Sequence, residues 1–154
     1  MVRMAVGADH AGYALKEAVK KSLQELAVEV IDVGTFSVES VDYPDYAAQV
    51  ALRVARGACE RGLLICGTGI GMAIAANKVP GARAALCYNT ETARLSRAHN
   101  EANILVLGGR MTSAAEAKEI IKVWLATPFE GGRHQTRLNK ISALEKGFGA
   151  ASST

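Results

Sequence analysis

The chain reads as an α/β protein: a doubly wound, five-stranded parallel sheet inside a three-layer αβα sandwich. Three observations predict this. Short apolar runs alternate with helix-patterned stretches along the 154 residues, which is the pattern of β-α-β units. Each apolar run ends at a glycine or a polar pair, where a strand would stop. No repeat, linker or composition break divides the chain, so residues 1–146 read as a single domain, with 147–154 as a small, polar, flexible tail.

The elements follow in order. Met4 to Gly7 is a strand ending at Asp9-His10. Tyr13 to Leu26 carries Leu15, Val19, Leu23 and Leu26 on one helix face. Val28 to Val33 is the second strand, stopped by Gly34, and Asp45 caps a helix running to Arg56. Leu63 to Cys66 is the third strand, followed by a helix from Ile70 to Lys78 that ends near Pro80-Gly81. Ala84 to Cys87 and Ile104 to Leu107 are the last two strands, with a helix from Thr90 to Ala98 between them. Ala114 to Leu125 is helical and turns Ile120, Ile121 and Trp124 inward. After a turn over Pro128 to Gly132, His134 to Lys146 forms the last helix. Right-handed crossovers wind such a sheet on both faces. Alternation does not fix strand order. The commonest order, 2-1-3-4-5, puts a ligand crevice between strands 1 and 3.

The totals narrow the function. Hydrophobic residues make up 49% and charged residues 21%, as in an ordinary globular protein. A net charge of +3 with 5% aromatics gives no nucleic-acid footprint. No apolar stretch reaches about 18 residues, so no membrane partner is expected. The amino terminus enters a strand directly, which reads as cytoplasmic. Cys59, Cys66 and Cys87 are odd in number and contain no CxxC, so they read as reduced thiols.

The segment Cys66-Gly67-Thr68-Gly69-Ile70-Gly71 carries the chemistry. It places a thiol at a strand's carboxyl end, then a glycine turn, then a helix start. Glycines permit close backbone approach, and free helix N–H groups attract anions and favour a thiolate. A cysteine phosphatase needs Arg six residues after its nucleophile, where this chain has Met72. The dinucleotide fingerprint and the P-loop are both absent. His10, His99 and His134 have no metal-type spacing. An N–H cradle beside a thiolate suits proton abstraction next to a carbonyl. Asp9-His10 belongs to the same predicted crevice. His99-Asn100 precedes the fifth strand and offers a proton donor or acceptor. Arg133 and Arg137 share one helix face, and with Arg110 they read as a phosphate clamp.

Together these segments resemble the ribose-5-phosphate isomerase B family, which includes the galactose-6-phosphate isomerase subunits. The residues that carry the resemblance are G-A-D-H-A-G-Y, S-V-D-Y-P-D-Y-A, C-G-T-G-I-G-M-A-I-A-A-N-K, S-R-A-H-N-E-A-N-I-L and E-G-G-R-H-Q-T-R. The resemblance implies a Rossmann-like fold and interconversion of an aldose phosphate and a ketose phosphate without metal or cofactor. It also implies a homodimer or tetramer with shared sites, to which the last helix would reach. Cys66 then matches the base that moves a proton between C2 and C1. His99 matches the acid that opens the sugar ring, with Thr68 as helper. Asp9, His10, Asn100, Arg110, Arg133 and Arg137 match sugar and phosphate contacts. Gly67, Gly69, Ile70 and Gly71 match the loop that holds the enediolate, and Tyr43 and His134 are secondary contacts. Ribose 5-phosphate is the simplest substrate. Allose or galactose 6-phosphate, and a non-catalytic sugar-phosphate module, are the alternatives.

Overall fold

The computed structural model describes residues 1–152. Its elements are β1 (Arg3–Ala8), α1 (Tyr13–Glu25), β2 (Glu29–Gly34), α2 (Tyr43–Ala55), β3 (Arg61–Cys66), α3 (Ile70–Ala76), β4 (Ala84–Leu86), α4 (Thr90–Ala98), β5 (Ile104–Gly108), α5 (Ala114–Ala126) and α6 (Arg133–Ser152). All five strands pair in parallel, in the order β2-β1-β3-β5-β4. The sheet thus departs from the commonest order at one edge. Each residue of β5 is buried, whereas β4 is three half-buried residues long. The fully apolar strand takes the interior position and the short one the edge.

Alternation along the strands sorts the core into two layers. Met4, Val6, Leu63, Ile65, Leu105 and Leu107 face Leu15, Val19, Leu23, Ile120, Ile121 and Trp124 of α1 and α5. Ala5, Leu64, Cys66, Ile104 and Val106 face Val50, Ala51, Val54, Met72 and Ala76 of α2 and α3. The result is the expected Rossmann-like, three-layer sandwich. Among the described residues, no helix is long and apolar enough to cross a membrane.

Two boundaries differ from expectation. α2 begins at Tyr43 with Asp42 at its N-cap, because Pro44 is tolerated in the first helical turn. α6 continues to Ser152, through Gly147 and Gly149. The tail expected over 147–154 is therefore helical as far as Ser152, and residues 153–154 lie outside the described part.

One buried ion cluster fixes the loop that carries Tyr43 toward the sheet end. Lys16 is fully buried, and its Nζ donates to both Asp32 oxygens at 2.7 Å. Lys20 adds a third contact at 2.8 Å, and the Gly34 N–H donates to Asp32 Oδ1 at 2.9 Å. The Lys16 ammonium also lies 4.7 Å from the centre of the Phe36 ring. Burial pushes the Asp32 carboxyl up. The hydrogen bonds from Lys16, Lys20 and Gly34 outweigh it and hold the group below the usual carboxylate range. A depressed native pKa means that this stabilisation is complete above the unfolded value of about 4, and is lost as pH falls through the native one. Asp32→Asn leaves the buried Lys16 with only the more exposed Glu17 carboxylate, 3.3 Å away, as counter-charge, and is expected to cost about 3 kcal/mol at pH 7. Urea titrations at pH 7 and pH 3 check this: the difference between variant and native protein should shrink at the lower pH.

Candidate active site

The carboxyl ends of β1, β3 and β5 meet in one open crevice of about 440 Å³. Their loops are joined backbone to backbone. The Asp9 N–H donates to the Ile65 carbonyl at 3.2 Å, Gly109 N–H to the Cys66 carbonyl at 2.7 Å, and Arg110 N–H to the Gly67 carbonyl at 2.9 Å. The crevice is lined by Asp9, Tyr43, Cys66, Gly67, Thr68, Ile70, Gly71, Ile74 and Arg110. Most of the residues expected at the reacting end are thus brought together.

Cys66 is the last residue of β3. Its Sγ accepts the Gly69 N–H at 3.2 Å, which fixes the sulfur under the turn. Gly69 has φ of +86°, and a Cβ there would lie 3.1 Å from the Leu107 carbonyl, so the turn requires glycine. The Ile70 N–H donates to Thr68 Oγ1 at 3.2 Å. Two of the turn's amides therefore have partners inside the loop. Tyr88 Oη donates to the Thr68 carbonyl at 2.7 Å and braces it from the edge strand's side.

The flanks are equally ordered. Asp9 is buried, and its Oδ1 accepts the N–H groups of Ala11 and Gly12 at 3.0 and 3.1 Å. His10 Nδ1 accepts the Val41 N–H at 3.2 Å, which leaves Nε2 to carry the proton of the neutral ring. Gly71 lies under the Tyr43 ring, since a Cβ there would sit 2.5 Å from Tyr43 Cζ. The Arg110 guanidinium covers Gly67 in the same way, with Nη1 2.9 Å from where a Cβ would be.

The other predicted residues form a second cluster elsewhere. His99 is the C-cap of α4, which leads into the amino end of β5. Its ring stacks on His134 with centroids 4.1 Å apart and planes 13° apart. Both Nε2 atoms lie 3.8 Å from Glu130 Oε1. The Glu130 N–H donates to the Ala98 carbonyl at 3.0 Å, tying this turn to the end of α4. Arg133 and Arg137 are exposed on the first turns of α6, beside an exposed Asn100. His134 is held below the usual imidazole range by burial first, then by His99 and Arg133. Neighbouring strands align Cys66 with Gly108 and Gly62 with Ile104. Four residue steps along β5 span roughly 13 Å. Within one subunit, Cys66 and His99 therefore stand at opposite ends of the sheet.

Glu130 and Tyr88 escaped the sequence reading. Glu130 precedes His134 by four residues within a segment already singled out, which was the available signal. The ligand atoms of His99, Glu130 and His134 all lie within 4.8 Å of one another, close enough to suggest a cation. However, stacked rings direct their lone pairs in parallel. A metal needs them convergent on one point about 2.0–2.1 Å away. The arrangement suits a shared proton better.

Comparison with known proteins gives the family and supports the fold. The family described as Ribose/Galactose Isomerase matches residues 4–141. Ribose-5-phosphate isomerase B of Escherichia coli (strain K12) is 50% identical over 146 residues, covering 95% of this chain and 98% of the relative. The structure of Clostridium thermocellum ribose-5-phosphate isomerase B is 51% identical, with a TM-score of 0.93 over 95% of this chain and 99% of that one. A Mycoplasma genitalium ribose-5-phosphate isomerase B structure with bound ribulose 5-phosphate is 40% identical, with a TM-score of 0.90 over 94% and 96% of the two chains.

Proposed function

We infer the activity from one premise: the chain belongs to the ribose/galactose isomerase family. It is an aldose–ketose isomerase that interconverts ribose 5-phosphate and ribulose 5-phosphate. Relatives of that name match nearly end to end at about half identity, in sequence and in fold. A phosphorylated sugar does not diffuse through membranes, which supports a cytoplasmic place of action.

The observation that carries the mechanism is the Cys66 thiol, held by the Gly69 N–H at the floor of the crevice. As a thiolate, Cys66 takes the C2 proton of the open-chain aldose. The C–H electrons form the C1–C2 double bond of an enediol, and the carbonyl oxygen becomes an oxyanion that the turn's polar groups stabilise. When the hydroxyl proton on O2 passes to O1, the electrons of the C1–C2 double bond take the returning proton at C1, and the new C2 carbonyl makes the ketose. Asp9 and His10 contact sugar hydroxyls, and Tyr43 packs over Gly71 at the rim. Arg110 supplies positive charge at the mouth. Phosphate binding far from the reacting carbons positions C2 over sulfur.

Ring opening by His99 must then come from elsewhere, because its own Cys66 lies across the sheet. The reading is a homodimer in which His99, Asn100, Arg133, His134 and Arg137 of one copy complete the crevice of the other. Two surfaces support it. Ile70 and Ile74 are more than half exposed at the crevice rim. The helix that carries the arginines also exposes Ile141, Leu144 and Phe148. Apolar surfaces beside a functional site favour self-association.

Cys66→Ala should lose about 10³-fold in turnover while still binding the sugar phosphate. Stopped assays and calorimetry on the same sample check this, and normal turnover would remove the base. Tyr43, Ile70 and Ile74 leave the rim open, so this subunit alone does not exclude a six-carbon chain. Across a panel of aldose phosphates, kcat/KM for ribose 5-phosphate should exceed that for allose or galactose 6-phosphate by at least about tenfold. Co-expressed Cys66→Ala chains, inactive alone, and His99→Ala chains, limited alone by spontaneous ring opening, should together regain about a quarter of the native enzyme-catalysed aldose-to-ketose rate through mixed dimers that retain one intact site. No recovery would refute the shared site.

A further inference from the structure

We propose that Glu130 is a positioning residue: its carboxylate spans the stacked His99–His134 pair and keeps the pair's single proton on His99. This rests on the reading of His99 as the ring-opening acid. That reading assigns the proton donor but not what keeps it charged.

The geometry carries the inference. Glu130 Oε1 is equidistant from the two Nε2 atoms at 3.8 Å. The same residue is anchored by its backbone to Ala98, the residue before His99. Two imidazolium rings 4.1 Å apart would repel each other, so the pair holds at most one proton comfortably. A carboxylate at their common edge favours that one proton over none.

The proton's location follows from the surroundings. The His134 side chain is 6% exposed, and its Nε2 is buried without a hydrogen-bond partner among the described residues. Charging it there is costly. Arg133 and Arg137 on α6 add like charge beside it. The His99 side chain is 36% exposed on the single subunit, so it loses less hydration on charging than His134 does. Further charged groups facing the cluster lie on α4. Glu91 faces His99 and reinforces its proton, while Arg94 faces Glu130 and is paired with Glu91 at 2.8 Å. His99 is therefore the charged ring, and His134 is the neutral platform beneath it.

The chemical consequence is specific. When the C1–O bond of the furanose breaks, its electrons pass to the ring oxygen, which takes the proton from His99. The C1 hydroxyl proton leaves to water, from which His99 is reprotonated. Without Glu130, His99 is less often charged at neutral pH and opening slows.

Glu130→Gln in the otherwise intact enzyme tests this, with Glu130→Asp and His99→Ala alongside. In imidazole NMR titrations, His99 should lose its proton roughly one pH unit lower in Glu130→Gln, and near the native value in Glu130→Asp. Turnover provides the second measurement. Ribulose 5-phosphate has no hydroxyl free to close a five-membered ring, so the ketose-to-aldose direction does not require ring opening. In Glu130→Gln, the aldose-to-ketose rate should level off with rising enzyme, limited by spontaneous opening, while the reverse rate stays proportional to enzyme. An unchanged His99 titration overturns the proposal. So does a forward rate that stays proportional in Glu130→Gln but levels off in His99→Ala. If His99→Ala itself stays proportional, the ring-opening role of His99 is what fails, and the NMR titration still decides whether Glu130 holds its proton.

Discussion

The site depends on how closely three strand ends approach one another. At the carboxyl edge of the sheet, backbone meets backbone with no side chain between. A Cβ on Gly12 would run into the Ile65 carbonyl, and one on Gly109 would lie 2.6 Å from the Ala11 carbonyl. This contact sets Asp9, Cys66 and Arg110 around one opening, because each ends or follows a strand that the lacing holds in register. Parallel pairing supplies the rest. With β1, β3 and β5 adjacent, every loop that leaves their carboxyl ends emerges on the same side.

The position of β5 shows why strand order matters for chemistry. Had β4 followed β3, Arg110 would have been one strand further away. The pairing that prevails buries five apolar residues at Ile104–Gly108 beside β3. Arg110 then reaches over Gly67. A fold-level preference for burying the more apolar strand thus delivers a cation to the catalytic turn. Local sequence does not reveal this, since both segments look like short strands and only their competition for the interior separates them.

The crevice around Cys66 was legible because its signal is local: an apolar run, a thiol, three glycines and a helix within a few residues. Asp9 joined it through a rule about switch points that survives the change in strand order. The other cluster was legible only in pieces. His99 and His134 belong to different helices, and nothing in their spacing announces that their rings stack. Glu130 looked like a turn residue, because its role depends on a fold that brings the end of α4 against the start of α6. The carboxyl end of α6 was misread for a different reason. Gly147 and Gly149 weaken a helix by roughly 1 kcal/mol each, yet the helix runs through both to Ser152.

In the proposed mechanism the two clusters divide the reaction's requirements in a way the sheet imposes. A proton shuttle between neighbouring carbons needs a base that is rigid and close to the substrate backbone, and Cys66 has both properties from β3. Ring opening needs a charged donor, which must remain solvated enough to keep its proton. The half-exposed end of α4, beside the Glu130 carboxylate, supports that charge. Roughly 13 Å of β5 lies between the two clusters, so a sugar bound over Cys66 cannot meet the His99 of its own chain. If both act on one molecule, assembly of two copies is a condition of catalysis, and the apolar faces of α3 and α6 are the surfaces available to meet it.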